Sequence, residues 1–102
     1  MKIKYETKKN WTEAIFIGNT EFIIFNRITS ILQNDFNIIF TKIINGIDTE
    51  YWDFDYEGSQ LVVHYNNYIG TTIYPSVFDK ATTIDNLKPE KITELILHKL
   101  NE

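Results

Sequence analysis

The side chains best suited to chemistry in this sequence are Asp53 and His64, which lie on either side of a turn predicted at Gly58-Ser59. If that dipeptide is the centre of a two-residue turn, Asp53 faces His64 across a pair of antiparallel strands. The carboxylate would then raise the pKa of the imidazole and could orient it for general acid–base work. Tyr51 and Lys42 could complete a nuclease-like or lyase site, although their spacing matches no catalytic motif. Because an Asp–His pair across a sheet is also ordinary strand pairing, catalysis is only one hypothesis among several.

The sequence gives no indication of a metal, cofactor or phosphate site. It contains no cysteine, which excludes disulfides, thiolate metal ligands and a cysteine nucleophile. Its two histidines, His64 and His98, fall in different predicted elements. The carboxylates of the stretch DFDYE are spaced two apart on a strand, so they form a row on one side and cannot wrap an ion as a loop does. We therefore predict no metal and no cofactor.

The elements that must position Asp53 and His64 are strands. Hydrophobic alternation with a period of two between residues 36 and 74 predicts four strands joined by short turns. Asn45-Gly46 and Gly58-Ser59 are two-residue hairpin signals, because asparagine and glycine tolerate the positive φ of such turns. Asn67 ends the third strand and Pro75 ends the fourth. The four strands should form an antiparallel meander.

The register of the last strand stays open at this point. A two-residue turn after the third strand would direct Tyr68, Gly70 and Thr72 towards the core. A three-residue turn would instead direct Ile69, Thr71 and Ile73 inward, which the hydrophobicity of these residues favours.

Helical spacing of apolar residues predicts two helices. The first covers residues 20–34, with Asn19 or Thr20 as its N-cap and Glu21 in its first turn. The second should begin at Pro89, which suits the first position of a helix, after the polar loop FDKATTIDNL. The apolar positions that support the two helices are Ile24, Phe25, Ile28, Ile31 and Leu32 in the first, and Ile92, Leu95, Ile96 and Leu100 in the second.

The N-terminal residues leave the number of strands open. The stretch KIKYE reads as a first strand, whereas residues 11–17 fit either a strand or a helical turn. The chain as a whole predicts one domain, residues 1–102, of the α+β class. We expect a twisted antiparallel sheet of four to six strands, with a central meander and two helices packed on one face.

The predicted turns assign each residue of the meander to one face of the sheet. Trp52, Phe54 and Tyr56 should point towards the helices, because the turn at Gly58-Ser59 places apolar residues opposite all three. The face turned away from the helices, here called the outer face, would mix apolar residues with carboxylates, as binding surfaces for basic partners do. Alternatively, the N-terminal segment or a second copy of the chain covers this face. The residues predicted to contact a partner are Phe40, Tyr51, Asp53, Asp55, Glu57, Val62 and His64.

The distribution of charge favours a basic partner. The net charge is −4, and residues 48–57 contain five carboxylates and no basic residue. A nucleic-acid-binding protein would present a basic face to the phosphates, so we predict no nucleic-acid partner. The N-terminus has no apolar run typical of a signal peptide, and the longest apolar stretch is too short to span a bilayer. We therefore expect a cytoplasmic protein with no membrane contact. The simpler interpretation is that the acidic strand only keeps the protein soluble.

The stretch YWDFDYEGSQLVVHYNNYIGTTIYP and the helix that follows it resemble the central hairpins and closing helix of small bacterial immunity proteins. Such proteins accompany polymorphic or contact-dependent growth-inhibition toxins. The resemblance implies a cytoplasmic, non-enzymatic inhibitor that binds a toxin domain, often a basic nuclease, and it implies no catalytic residues. The alternatives are a structural or regulatory homodimer that pairs through the outer face, and an enzyme that uses Asp53 and His64.

Overall fold

The computed structural model describes residues 1–102 as one six-stranded antiparallel sheet and two α-helices. The order of the strands across the sheet is β1-β2-β6-β5-β4-β3, which confirms the predicted α+β fold. In chain order the elements are β1 (Lys2–Lys8), β2 (Trp11–Ile17), α1 (Phe22–Asp35), β3 (Phe40–Gly46), β4 (Thr49–Tyr56), β5 (Ser59–Asn66), β6 (Gly70–Pro75), a 3₁₀ helix (Phe78–Lys80) and α2 (Thr83–Leu100).

Both helices pack on one face of this sheet and enclose the hydrophobic core. As predicted, that face carries Phe54, which is fully buried, with Trp52 and Tyr56 partly buried beside it. Each of these alternates along β4 with a residue of the outer face, as the pleat of a strand requires. The other fully buried apolar side chains of the core are Ala14, Phe16, Phe25, Ile28, Leu32, Leu61, Val63, Ile73, Ile92 and Ile96.

The N-terminal residues form two strands that extend the sheet. Residues 11–17, for which sequence left a strand or a helical turn open, are the strand β2. This strand pairs with β1 on one side and with β6 on the other, both antiparallel. The N-terminal segment therefore lies beside the meander and does not cover its outer face.

The turn between β4 and β5 is centred one residue earlier than predicted. Its central residues are Glu57 and Gly58, both with positive φ (53° and 87°), as a type I′ turn requires. The prediction of a turn at Gly58-Ser59 is therefore wrong, and Ser59 is the first, buried residue of β5. The pairing of β5 shifts by two residues. Because that shift is even, every side chain keeps its predicted face. The observed pairs are Tyr56–Ser59, Phe54–Leu61, Asp53–Val62, Trp52–Val63 and Tyr51–His64.

The turn between β3 and β4 also differs from the prediction. Asn45 and Gly46 are the last residues of β3, and the turn lies at Ile47-Asp48, where Asp48 has a φ of 57°. The register is irregular between Phe40 and Lys42, which indicates a β-bulge at this position. One extra residue in a strand reverses the face of every residue before it. The bulge therefore changes the side of the sheet on which Phe40 lies.

The connection between β5 and β6 settles the register that the sequence left open. Asn66 pairs with Gly70, so the turn has three residues. Thr71 and Ile73 then face the core, with Ile73 fully buried, as the hydrophobicity favoured. Ile69 lies in the turn itself and is exposed.

Both helices begin at different residues from those predicted. Glu21 occupies the N-cap position of α1 without a side-chain cap, while the Asn19 side chain accepts a hydrogen bond from the Glu21 amide at 2.8 Å. The start of α2 at Pro89 is wrong, because this helix begins six residues earlier, at Thr83. Thr82 and Asp85 form a capping box there, with hydrogen bonds of 3.1 and 2.9 Å. This cap starts the helix within the segment that composition alone indicates to be a loop.

Candidate partner-binding face

The predicted partner-binding residues lie mainly on β4 and β5, in three successive rows of the outer face. Tyr51 pairs with His64 in the first row, Asp53 pairs with Val62 in the second, and Asp55 pairs with Gln60 in the third. Val62 is on the predicted face, but only 4% of it is exposed. It therefore offers little surface to a partner.

A row of ring side chains crosses the outer face from β2 to β4. The ring row consists of Trp11, Phe78, Tyr74, His64 and Tyr51, with successive centroids 5.5, 5.5, 6.0 and 4.2 Å apart. The 3₁₀ helix after β6 brings Phe78 over the sheet, which buries Tyr74 to 5% exposure. At the other end Tyr51 stacks on His64 with an interplanar angle of 15° and remains 36% exposed. The row is thus buried at Tyr74 and exposed towards both ends, at Phe78 and at Tyr51.

His64 lies between Tyr74 and Tyr51 in this row and is half-buried. Its Nε2 atom is 3.3 Å from the Thr49 hydroxyl, and its Nδ1 atom is 3.4 Å from the Tyr74 hydroxyl. Burial lowers the pKa of His64 below its ordinary value of 6.5, partly opposed by the negative charge of Glu13. Burial likewise raises the pKa of Tyr74. The imidazole is therefore held by packing and by neutral hydroxyl groups.

The predicted pairing of Asp53 with His64 is wrong. Because the β4–β5 turn is centred at Glu57-Gly58, Asp53 faces Val62 and His64 faces Tyr51. The expected rise in the pKa of His64 is also wrong, since burial outweighs the nearby negative charge. The catalytic hypothesis depended on a direct pairing of Asp53 with His64, and the structure does not contain that pairing.

Two of the residues predicted for the partner surface are directed elsewhere. Phe40 packs on the helix side of the sheet against Trp52 and Phe54, with ring centroids 5.0 and 5.9 Å apart, because the bulge in β3 reverses its face. Glu57 reaches α2, where its carboxylate accepts hydrogen bonds from Lys91 at 2.7 Å and Lys88 at 3.1 Å. Those two bonds lower the pKa of Glu57. Neither residue belongs to the outer face.

The bulge and the turn leave a smaller open patch on the outer face, made of Ile44, Tyr51, Asp53 and Asp55. Ile44 pairs with Tyr51, and 47% of its surface is exposed. Asp55 accepts hydrogen bonds from the Gly58 amide at 3.1 Å and the Gln60 side chain at 2.7 Å, both neutral donors. Asp53 lies across from Lys42 in the strand register without forming a salt bridge. Neither carboxylate of the open patch is therefore in a salt bridge, and each could meet an external cation.

A shallow concavity on the outer face was not predicted. Its volume is about 440 Å³, and it lies between β1, β2, β5 and β6. Lys8 and Glu13 form a salt bridge of 3.1 Å along one side, opposite His64 and Tyr74. If residues 11–17 are read as a strand, their alternation places Glu13 on one face of it. Its position across the concavity from His64 depends on the pairing of β2 with β6. That long-range pairing leaves no local signal in the sequence.

No three histidine, cysteine, aspartate or glutamate side chains come together in a group that could hold a metal ion. His98 is exposed near the end of α2, far along the chain from the elements that hold His64. Neither helix is both long enough and apolar enough to cross a membrane. Comparison of the chain with models of known protein families, with curated proteins and with solved structures found no match.

Proposed function

We propose that this chain is a non-enzymatic, cytoplasmic inhibitor that binds a basic toxin domain through the outer face of its sheet, as an immunity protein does. The observation that carries the proposal is the open patch, where an aromatic ring stacked on His64 lies beside two carboxylates that form no salt bridge, on the sheet face opposite the two α-helices. Exposed aromatic and aliphatic side chains ringed by charge are typical of sites that bind another protein.

Tyr51 is the anchor in this proposal. Its ring is held parallel to the imidazole of His64 at a centroid distance of 4.2 Å. A ring fixed before binding loses little conformational entropy when a partner covers it, which favours affinity. Ile44 beside it supplies apolar surface of the kind that is excluded from water at the centre of an interface.

Asp53 and Asp55 supply the attraction for a basic partner. Carboxylates at the rim of an interface mainly accelerate association, and salt weakens their effect. Glu57 is not included, because Lys88 and Lys91 already neutralise it. The acidic contribution is therefore smaller than the sequence indicates, and the aromatic anchor carries correspondingly more of the affinity. A stable complex would bury about 800 Å² on each partner.

Affinity capture from the native host tests this proposal. Tagged wild-type protein should recover a stoichiometric basic protein, and a bait with Tyr51→Ala and Asp53→Asn should recover much less of the same protein. Leu87→Ala provides a matched control, since Leu87 is an exposed apolar residue of α2, 62% exposed, on the opposite side of the sheet from the open patch. Equal recovery by all three baits would contradict the proposal.

A further inference from the structure

The two edges of the sheet are chemically different. β1 forms one edge and carries Lys2, Lys4 and Lys8, and lysines on an edge strand discourage another strand from pairing with it. β3 forms the other edge and has a single charged residue, Lys42. Each residue of β3 after Phe40 is exposed. The backbone of β3 therefore offers unpaired hydrogen-bonding groups with little protection.

The side chains around β3 are apolar as well as exposed. Ile39 is 81% exposed, Ile43 is 47% exposed, and Ile47 is 93% exposed. Beside them, on the helix side of the sheet, an open groove of about 600 Å³ is lined by residues that include Phe40 and Trp52. The two helices lie mainly over β2, β5 and β6, so that only the end of α1, at Gln33, borders this groove. An exposed apolar edge strand next to an apolar groove is a site for strand addition.

We propose that β3 pairs with β3 of a second copy of this chain, antiparallel and about a two-fold axis at Ile43, to form a continuous twelve-stranded sheet. This dimer differs from one formed through the outer face, because the outer faces stay free on the same side of the sheet. Dimerisation therefore does not depend on the proposed function, and either can fail without the other.

The pattern of side chains in β3 is self-complementary in this register. Ile43 of one copy faces Ile43 of the other, so the helix-side row reads Trp52, Ile43, Ile43 and Trp52 across the two chains. On the outer face each Lys42 meets Ile44 of the other copy and keeps its own Asp53 as a neighbour. No like charges stand directly opposite each other, as they would if β1 paired with itself. The bulge before Lys42 limits the regular pairing to residues 42–44, because Asn45 and Gly46 would face Thr41 and Phe40 at the bulge of the other copy. The apolar groove is then left to accommodate Ile39 and Ile47.

Single cysteines test the register directly, because the chain contains no cysteine of its own. Residues directly opposite in an antiparallel pair have Cα atoms about 4.5–5.5 Å apart, within the range of a disulfide. Ile43→Cys should therefore form a covalent dimer under mild oxidation far faster than Ile84→Cys, which places the thiol on an exposed position of α2, 64% exposed in the wild type. Equal cross-linking rates for the two variants would overturn the proposed register.

Sedimentation equilibrium tests the dimer without cross-linking. The wild type should sediment at twice the chain mass of 12.1 kDa at high micromolar concentration. Ile43→Lys should raise the dissociation constant of the dimer about tenfold or more, whereas Ile84→Lys should leave it unchanged. Circular dichroism on both variants checks that they are folded. A wild-type protein that stays monomeric up to its solubility limit overturns the proposal, and so does a dimer that Ile43→Lys leaves intact.

Discussion

Replacing Thr93 by valine should stabilise the protein. Thr93 lies in α2, is fully buried, and its hydroxyl has no hydrogen-bond partner. A buried hydroxyl that loses its bonds to water without gaining others destabilises the folded state by about 1–3 kcal/mol. Valine has the same shape and no hydroxyl, and its helix propensity is close to that of threonine. The net gain expected from Thr93→Val is therefore about 1–2 kcal/mol.

Urea unfolding and thermal melting measure this gain. For a domain of this size, 1 kcal/mol corresponds to a rise in Tm of about 4–8 °C. Thr29→Val is the matched control, because Thr29 is also a buried helical threonine but its hydroxyl donates to the Asn26 carbonyl at 3.1 Å. This control should show no gain. If Thr93→Val were no more stable than the wild type, or if Thr29→Val gained as much, the reasoning from the unpaired hydroxyl would be refuted.

Three further outcomes follow from the core, the helix cap and the buried imidazole. Phe54→Ala should lower the free energy of unfolding by about 3–5 kcal/mol in urea, because it removes a fully buried ring; a loss below 1 kcal/mol would contradict its place in the core. Asp85→Ala should destabilise the protein by about 1 kcal/mol at neutral pH. Hydrogen bonds from the Thr82 amide and Ser59 hold the pKa of Asp85 below its ordinary 3.8, so its contribution is present above that value. The stabilisation by Asp85 should decrease as the pH falls through the lowered pKa. If urea unfolding gave the same difference between the wild type and Asp85→Ala at every pH, this prediction would be wrong. Because the pKa of His64 is lowered in the folded protein, its imidazole is protonated at a higher pH in the unfolded chain than in the folded one. The free energy of unfolding should therefore fall as the pH drops below about 6.5, and level off below the pKa of the folded state. An NMR titration of His64 with a midpoint at or above 6.5 would contradict this.

The parts of the fold that the sequence predicts are those fixed by local periodicity. The buried positions of α1 follow helical spacing, and Phe54 faces the core because the alternation along β4 is unbroken. The error in the predicted position of the β4–β5 turn did not change the face assigned to any side chain of β4 or β5, because the pairing moved by an even number of residues. Tyr51 and Asp53 therefore lie on the predicted face even though their partners across the strand are different.

The parts that the sequence could not predict depend on single residues or on long-range pairing. One extra residue at the bulge was enough to move Phe40 from the outer face to the core side. Glu57 has a positive φ, which glycine or asparagine adopts more readily. Its side chain forms salt bridges with two lysines that are distant in sequence. Pro89 lies inside α2 because the capping box at Thr82 had already started the helix. The concavity beside His64 exists only because β2 pairs with β6.

Binding kinetics with the captured partner test the central claim, that the open patch recognises a basic protein, most directly. Association and dissociation rates should be measured against salt concentration for the wild type and for variants of the patch. We predict that Asp53→Asn with Asp55→Asn slows association and flattens its dependence on salt, while Tyr51→Ala mainly accelerates dissociation. Leu87→Ala should change neither rate. If the acid-to-amide pair and Tyr51→Ala both bind the partner as the wild type does, the open patch is not the binding site and the account is wrong.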